Sequence, residues 1–278
     1  MKALSELLLS TNGLTKQYGH HKAVDKVNLH IKKGAIYGFI GRNGAGKTTC
    51  LKMISGLARP TAGEIEMFGC KGKELERIRS RVGCLIEAPG LYGNMNAYTN
   101  LKIKCELFGI RKKGYIEDIL ETVGLEGVGK KKTKHFSLGM KQRLGIGLAL
   151  VGEPDLLVLD EPINGLDPQG IAEVRDTIQR LRDERNMTIL ISSHILEELS
   201  KIATDYGIIH NGSLLQELTS EELMKRCSER IEIELIHPEQ AVPILDRMGF
   251  TNYQVTDKSH IHICLLYTSP SPRDPKTS

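Results

Sequence analysis

Nine consecutive residues, Gly41-Arg42-Asn43-Gly44-Ala45-Gly46-Lys47-Thr48-Thr49, fit the pattern G-x-x-x-x-G-K-[ST] in full. Glycines at these points let backbone N–H groups approach phosphate oxygens closely. Lys47 is a point charge that can reach the terminal phosphates, and the Thr48 hydroxyl is a hard donor suited to Mg2+. The flanks agree with this chemistry. Ala35 to Ile40 reads as a short apolar strand, and Thr49 to Ile54 reads as the first turns of a helix. A strand, a glycine turn and a helix start, in that order, make a phosphate cradle.

A second segment completes the chemistry. Leu156-Leu157-Val158-Leu159 is a run of four apolar residues, suited to a strand buried on both faces of a parallel sheet. It ends in Asp160-Glu161-Pro162, two carboxylates at the sheet edge where α/β folds bind ligands. Asp160 is placed to hold Mg2+, directly or through water, and Glu161 to orient and deprotonate an attacking water. No N-K-x-D guanine-reading motif is present, nor H-R-D or D-F-G of the protein kinases.

Between the two halves lies Phe136-Ser137-Leu138-Gly139-Met140-Lys141-Gln142-Arg143-Leu144. Ser137 reads as the N-cap of a helix that continues through the apolar Leu144 to Leu150. Here the sequence resembles the ATP-binding cassette (ABC) ATPases, whose signature is such a serine-glycine turn shortly before the Walker B strand. The resemblance covers roughly residues 8 to 215 and keeps the family's order. It implies that Ser137 and Gly139 contact the γ-phosphate held by a second cassette. It further implies that Tyr18 stacks on adenine, that Asp167 in Asn164-Gly165-Leu166-Asp167-Pro168 organises the dimer interface, and that His194 senses the γ-phosphate. With these come ATP and Mg2+ as ligands, a second cassette as partner, and an integral-membrane permease to supply the transport path.

Two departures from the family's common pattern stand out. Leu138 replaces a signature glycine, so the backbone there is not expected to need a positive φ. After the strand Val82 to Ile86 the family usually carries a glutamine, but this chain has Glu87. A carboxylate is a stronger ligand for a hard cation than an amide, so Glu87 joins Thr48 and Asp160 as a candidate metal ligand, its added charge offset by Lys47 and the metal. A water-mediated contact with little effect on rate is the other reading of this exchange. Glu87-Ala88-Pro89-Gly90-Leu91-Tyr92 resembles the ATPases of bacitracin, lantibiotic and related antimicrobial-peptide exporters.

The elements that must position these residues follow. The resemblance implies an α/β fold, a P-loop NTPase (RecA-like core) of the ABC ATPase type. The nucleotide-binding domain is expected over 1–219, with an inserted α-helical subdomain at about 91–150, where Asn94 to Phe108 and Tyr115 to Val123 carry apolar residues at helical spacing. Tyr206 to Gly212 reads as a hairpin with an Asn-Gly turn. Residues 220–265 form a small α+β appendage: a helix opened by Ser220, a strand over 230–236, a helix over 238–248 and a strand over 252–265. Residues 266–278 are proline- and serine-rich and read as a disordered, possibly non-native tail.

Composition bounds the rest. Of the 278 residues 40% are hydrophobic and 26% charged, as in a globular domain. No apolar run approaches the ~20 residues of a membrane helix, and Met1 to Leu9 reads as a leader into the first strand rather than a signal peptide. The six cysteines form no C-x-x-C pair, which fits free thiols in a reducing compartment. His20-His21 and His260/His262 suit a surface loop and a strand face. Lys130 to Lys134 suits a solvated loop. A net charge of +4 is too dispersed to predict a nucleic-acid partner. The expectation is therefore an ATP-hydrolysing exporter subunit, cytoplasmic and peripheral on the inner face of the membrane. The alternative is a non-transport ABC ATPase acting on a soluble nucleoprotein machine.

Overall fold

The computed structural model describes residues 6–226, 229–235, 238–247, 253–255 and 260–265. Three strands come first: Leu7–Tyr18 (β1), His21–Val27 (β2) and His30–Lys32 (β3). Ile36–Ile40 (β4) then runs into the P-loop and the helix Lys47–Ile54 (α1), after which Ala62–Met67 (β5) and Cys70–Lys71 (β6) return. β1 is the hub of an antiparallel sheet in the order β2-β1-β5-β6, with β3 also paired to β1.

Val82–Leu85 (β7) leads into a helical block of Ala97–Leu107 (α2), Tyr115–Thr122 (α3) and Leu138–Leu150 (α4). The helix read over 94–108 starts only at Ala97. Asn96 is extended, and its side chain accepts a hydrogen bond from the Thr99 N–H, which caps the helix and keeps Asn94 and Met95 outside it. Lys130, Lys131, Lys132 and Lys134 are exposed, whereas Thr133 is buried.

The chain then returns as Leu156–Asp160 (β8), Pro168–Arg185 (α5), Thr188–Ser193 (β9), Leu196–Leu199 (α6), Asp205–His210 (β10) and Ser213–Thr219 (β11). The resulting sheet has the order β11-β10-β4-β9-β8-β7. It is parallel from β10 to β7, and β11 adds an antiparallel edge. Every residue of β8 and β9 is buried, the pattern of parallel strands covered on both faces. The β10–β11 turn is Asn211-Gly212, both at positive φ (46° and 79°), as a two-residue hairpin requires.

One apolar core joins the two sheets through α1. Leu9, Leu14 and Val27 from the antiparallel sheet, Cys50, Leu51, Met53 and Ile54 from α1, and Phe39, Val158 and Leu190 from the parallel sheet belong to it. The P-loop helix is therefore clamped on both sides, which fixes the direction in which its N-terminus points.

The chain divides into two units, one through Ser220 and the other from Glu221. The appendage comprises Ser220–Arg226 (α7), Glu229–Glu234 (β12), Pro238–Arg247 (α8), Tyr253–Val255 (β13) and His260–Leu265 (β14), with strand order β12-β14-β13. The single strand read over 252–265 is in fact two strands paired antiparallel, Val255 opposite Ile261. In sequence, the stretch between them is Thr256-Asp257-Lys258-Ser259, which holds turn-forming types. The tail 266–278 lies outside the described residues. Cys50, Cys70, Cys84 and Cys105 are free thiols. Among the described residues no helix is long and apolar enough to cross a membrane.

Candidate nucleotide site

The P-loop leaves β4 at its C-terminal edge and enters α1 at Gly46, whose φ is 105°. A Cβ at Gly46 would lie 2.4 Å from the Ala23 carbonyl oxygen, and one at Gly41 would lie 2.5 Å from that of Ile209. Only glycine fits at either point. No side chain caps α1, so its first-turn amides and positive dipole end suit an anion. Lys47 is buried at 5% exposure, and its ammonium donates to the Gly41 carbonyl at 2.6 Å.

The Walker B pair stands beside it. Asp160 ends β8 directly opposite Ser192 of β9. The Ser192 hydroxyl donates to Asp160 Oδ1 at 2.6 Å and accepts from the Glu161 N–H at 2.9 Å. One serine thereby orients both acidic residues; its link to Asp160 lies in the register of β8 against β9, which no local sequence pattern carries. Glu161 has a positive φ of 48°, a conformation costly for a glutamate and concentrated at functional sites.

The Glu161 carboxylate is divided between two partners. Oε1 lies 3.0 Å from Lys47 Nζ, close enough for an ion pair but off the direction of a hydrogen bond, so this buried oxygen accepts none. Oε2 lies 2.8 Å from His194 Nδ1. With the carboxylate ionised, the Nδ1–H tautomer donates to it, which leaves Nε2 as the ring's other polar atom. The arrangement can hold a carboxylate as a proton acceptor beside a fixed cation, with an imidazole oriented next to it.

Glu87 follows β7 with a φ of 65°. The cation facing it is Lys52, at 2.5 Å, and not Lys47 as the sequence suggested. Lys47 is occupied by Glu161 and the P-loop carbonyls, while Lys52, on the next turn of α1, is free to take the new charge. The Lys52 ammonium is pushed above the ordinary lysine range, chiefly by its hydrogen bond to Glu87, with smaller contributions from the charges of Glu87 and Asp160. Tyr18, at the end of β1, is 52% exposed, and Lys16 Nζ lies 5.0 Å from its ring centroid. That cation marks an accessible π-face.

Ser137 and Gly139 stand at the start of α4. Ser137 caps α4, its hydroxyl accepting from the Met140 N–H at 3.2 Å. A Cβ at Gly139 would lie 3.4 Å from Gly170 Cα, so α4 approaches α5 closely there. Leu138 lies within the helix, with no positive φ, as expected, and is 48% exposed near Gly165. Asp167 caps α5 by accepting from the Gly170 N–H at 3.1 Å. The structure thus gathers Lys47, Asp160, Glu161 and His194 at one sheet edge, and places Ser137, Gly139 and Asp167 where α4 meets the start of α5.

Fold and site together define a P-loop ATPase cassette. The ABC transporter family model matches residues 24–164. The bacitracin transport ATP-binding protein BcrA of Bacillus licheniformis is 49% identical over 258 residues, covering 92% of this chain and 84% of the relative. The lantibiotic transport ATP-binding protein SrtF of Streptococcus pyogenes is 44% identical over 211 residues, 76% of this chain and 90% of that one. Among solved structures, an ATP-binding subunit of an ABC transporter superposes with a TM-score of 0.68 at 29% identity, covering 79% of this chain and 92% of the other. A nucleotide-free cassette from an ABC transporter has the same fold, with a TM-score of 0.71 at 24% identity over 80% and 94% of the two chains. The chain belongs to the ABC transporter family and is an ATP-binding, ATP-hydrolysing subunit. Members of this kind work as paired cassettes with a membrane permease.

Proposed function

We propose that this chain powers export of antimicrobial peptides through a separate integral-membrane permease, from the inner face of the cell membrane. The observation that carries the hydrolytic half is Glu161 held between Lys47 and His194. The export half is supported by the similarity to bacitracin and lantibiotic transport proteins and by Glu87-Ala88-Pro89-Gly90-Leu91-Tyr92. Pro89, Gly90 and Tyr92 line a groove of about 320 Å³ whose other wall is Ile103, Leu107 and Phe108 of the helical block. This groove is where a cytoplasmic helix of the permease docks.

In this reading ATP lies along the P-loop, its adenine on Tyr18 and its phosphates on the amides of Gly41 to Thr49, with Asn43, Gly44, Ala45 and Gly46 forming the cradle. The uncapped first turn of α1 fits a bound triphosphate. The Thr48 hydroxyl and the Asp160 carboxylate are hard oxygen donors suited to Mg2+, with Glu87 as a third. When bound, that ion neutralises charge on the β- and γ-phosphate oxygens. Lys47 exchanges Glu161 for phosphate oxygen. Glu161 then accepts the proton of the attacking water, and His194 orients the γ-phosphate. A second copy closes the site with Ser137 and Gly139 at the positive end of its α4, and Asp167 orders the facing loops.

Purification of the full chain together with the permease encoded beside it tests this. Co-elution with a multi-span membrane protein, and ATPase activity that depends on it, is the expected result. Co-purification with ribosomal RNA or DNA in place of a membrane protein overturns the export reading.

A further inference from the structure

Lys52 lies one helical turn beyond Thr48 on α1, so the two side chains share a face of the helix. Its ammonium meets the Glu87 carboxylate at 2.5 Å, and the charge of Asp160 also favours its protonated form. The residue after β7 therefore has its cation on the P-loop helix, on the face that Thr48 shares. This pair does little to hold the fold together. Its side chains are 34% and 65% exposed, and exposed pairs of this kind contribute little to stability. Glu87 also takes a left-handed φ of 65°, which a glutamate adopts only at a cost. What a carboxylate needs at this point is electrostatic, because an uncompensated negative charge beside a triphosphate repels it.

We propose that Lys52 is the positioning residue of Glu87: it cancels the carboxylate's charge and holds it at the rim of the nucleotide site, so that a triphosphate binds despite a glutamate there. The inference rests on the nucleotide-site reading above, which loss of ATP binding in Lys47→Ala tests separately. It predicts coupling between two positions on different elements rather than a requirement for either alone.

A double-mutant cycle on the full chain reads that coupling. Equilibrium binding of a fluorescent ATP analogue is measured in EDTA, so that no added metal masks the charge. Lys52→Met is expected to weaken binding by about tenfold, the scale of one charge repulsion at a partly solvated site. Adding Glu87→Gln to that variant is expected to restore binding to within about twofold of the parent, because the charge needing compensation has gone. Melting midpoints of both variants stay at the parental value, and Lys52→Gln serves as a second variant should Lys52→Met not fold. Equal weakening whether position 87 is glutamate or glutamine means that Lys52 acts on the nucleotide directly, and overturns the proposal. Unchanged binding in Lys52→Met overturns it as well.

Discussion

Lys47 Nζ lies 3.0 Å from Glu161 Oε1, with the two side chains only 5% and 19% exposed. The cation of the phosphate cradle and the carboxylate of the next strand but one thus neutralise each other in a largely dry pocket. A charge in such a place needs a partner. Lys47 has the Gly41 carbonyl in addition, but the Glu161 oxygen facing it has no hydrogen bond. The pair is therefore poised to be exchanged for a better anion.

Lys47→Ala should accordingly weaken nucleotide binding itself, by about tenfold or more for the loss of a charge-assisted phosphate contact. Equilibrium ATP binding on the folded variant measures this. Unchanged affinity would remove the phosphate-cradle assignment.

Glu161→Gln keeps the shape of the side chain but turns one acceptor oxygen into an amide donor and removes the base. ATP binding should persist while turnover falls by about 10²–10⁴, the scale of a general base. Size-exclusion chromatography with ATP should then show a stable dimer, since the closed pair is no longer discharged. Parental turnover would show that another group accepts the proton.

The site was legible where chemistry is local and opaque where it crosses the sheet. The P-loop announces itself because glycine, lysine and threonine must be contiguous to wrap a phosphate. Asp160 and Glu161 were legible because four apolar residues before them mark a buried parallel strand. Ser192, by contrast, reaches Asp160 only because β8 and β9 are in a particular register, which no local pattern encodes. Lys52 likewise reads as an ordinary polar position of a helix until Glu87 is brought against it from a strand ending 33 residues later at Leu85. Element ends followed the same rule. The Asn211-Gly212 hairpin was clear from its two residues, whereas the division of 252–265 into β13 and β14 depended on a turn signal weaker than the strand pattern around it.

Ser192→Ala tests the crossing that the sequence hid. The hydroxyl is fully buried and serves two groups, accepting from the Glu161 N–H and donating to Asp160. Its loss leaves a backbone donor and one carboxylate oxygen without this partner, which should cost about 1–3 kcal/mol of stability. Denaturant unfolding measures that cost. Turnover should fall by more than ATP affinity does, because the substitution loosens the Walker B pair and leaves the P-loop intact. An equal effect on both would mean that Ser192 supports the fold alone.

Cys50 offers a test of the packing that clamps α1. Its thiol is fully buried within the core between the two sheets, and burial pushes its pKa from 9.0 up to about 12. The native thiolate population at a given pH should therefore be lower by on the order of 10³ than for an unperturbed thiol. At pH 8 a thiol reagent should label the partly exposed Cys70 while leaving Cys50 untouched, as peptide mapping can determine. As pH rises, the unfolded chain loses this proton before the folded one does. The contribution to stability is complete below pH 9, where both states hold the proton, and is lost as pH rises from there towards about 12. Rapid labelling of Cys50 in folded protein would mean that α1 is not held between the sheets, and the fixed direction of the phosphate cradle would lose its physical basis.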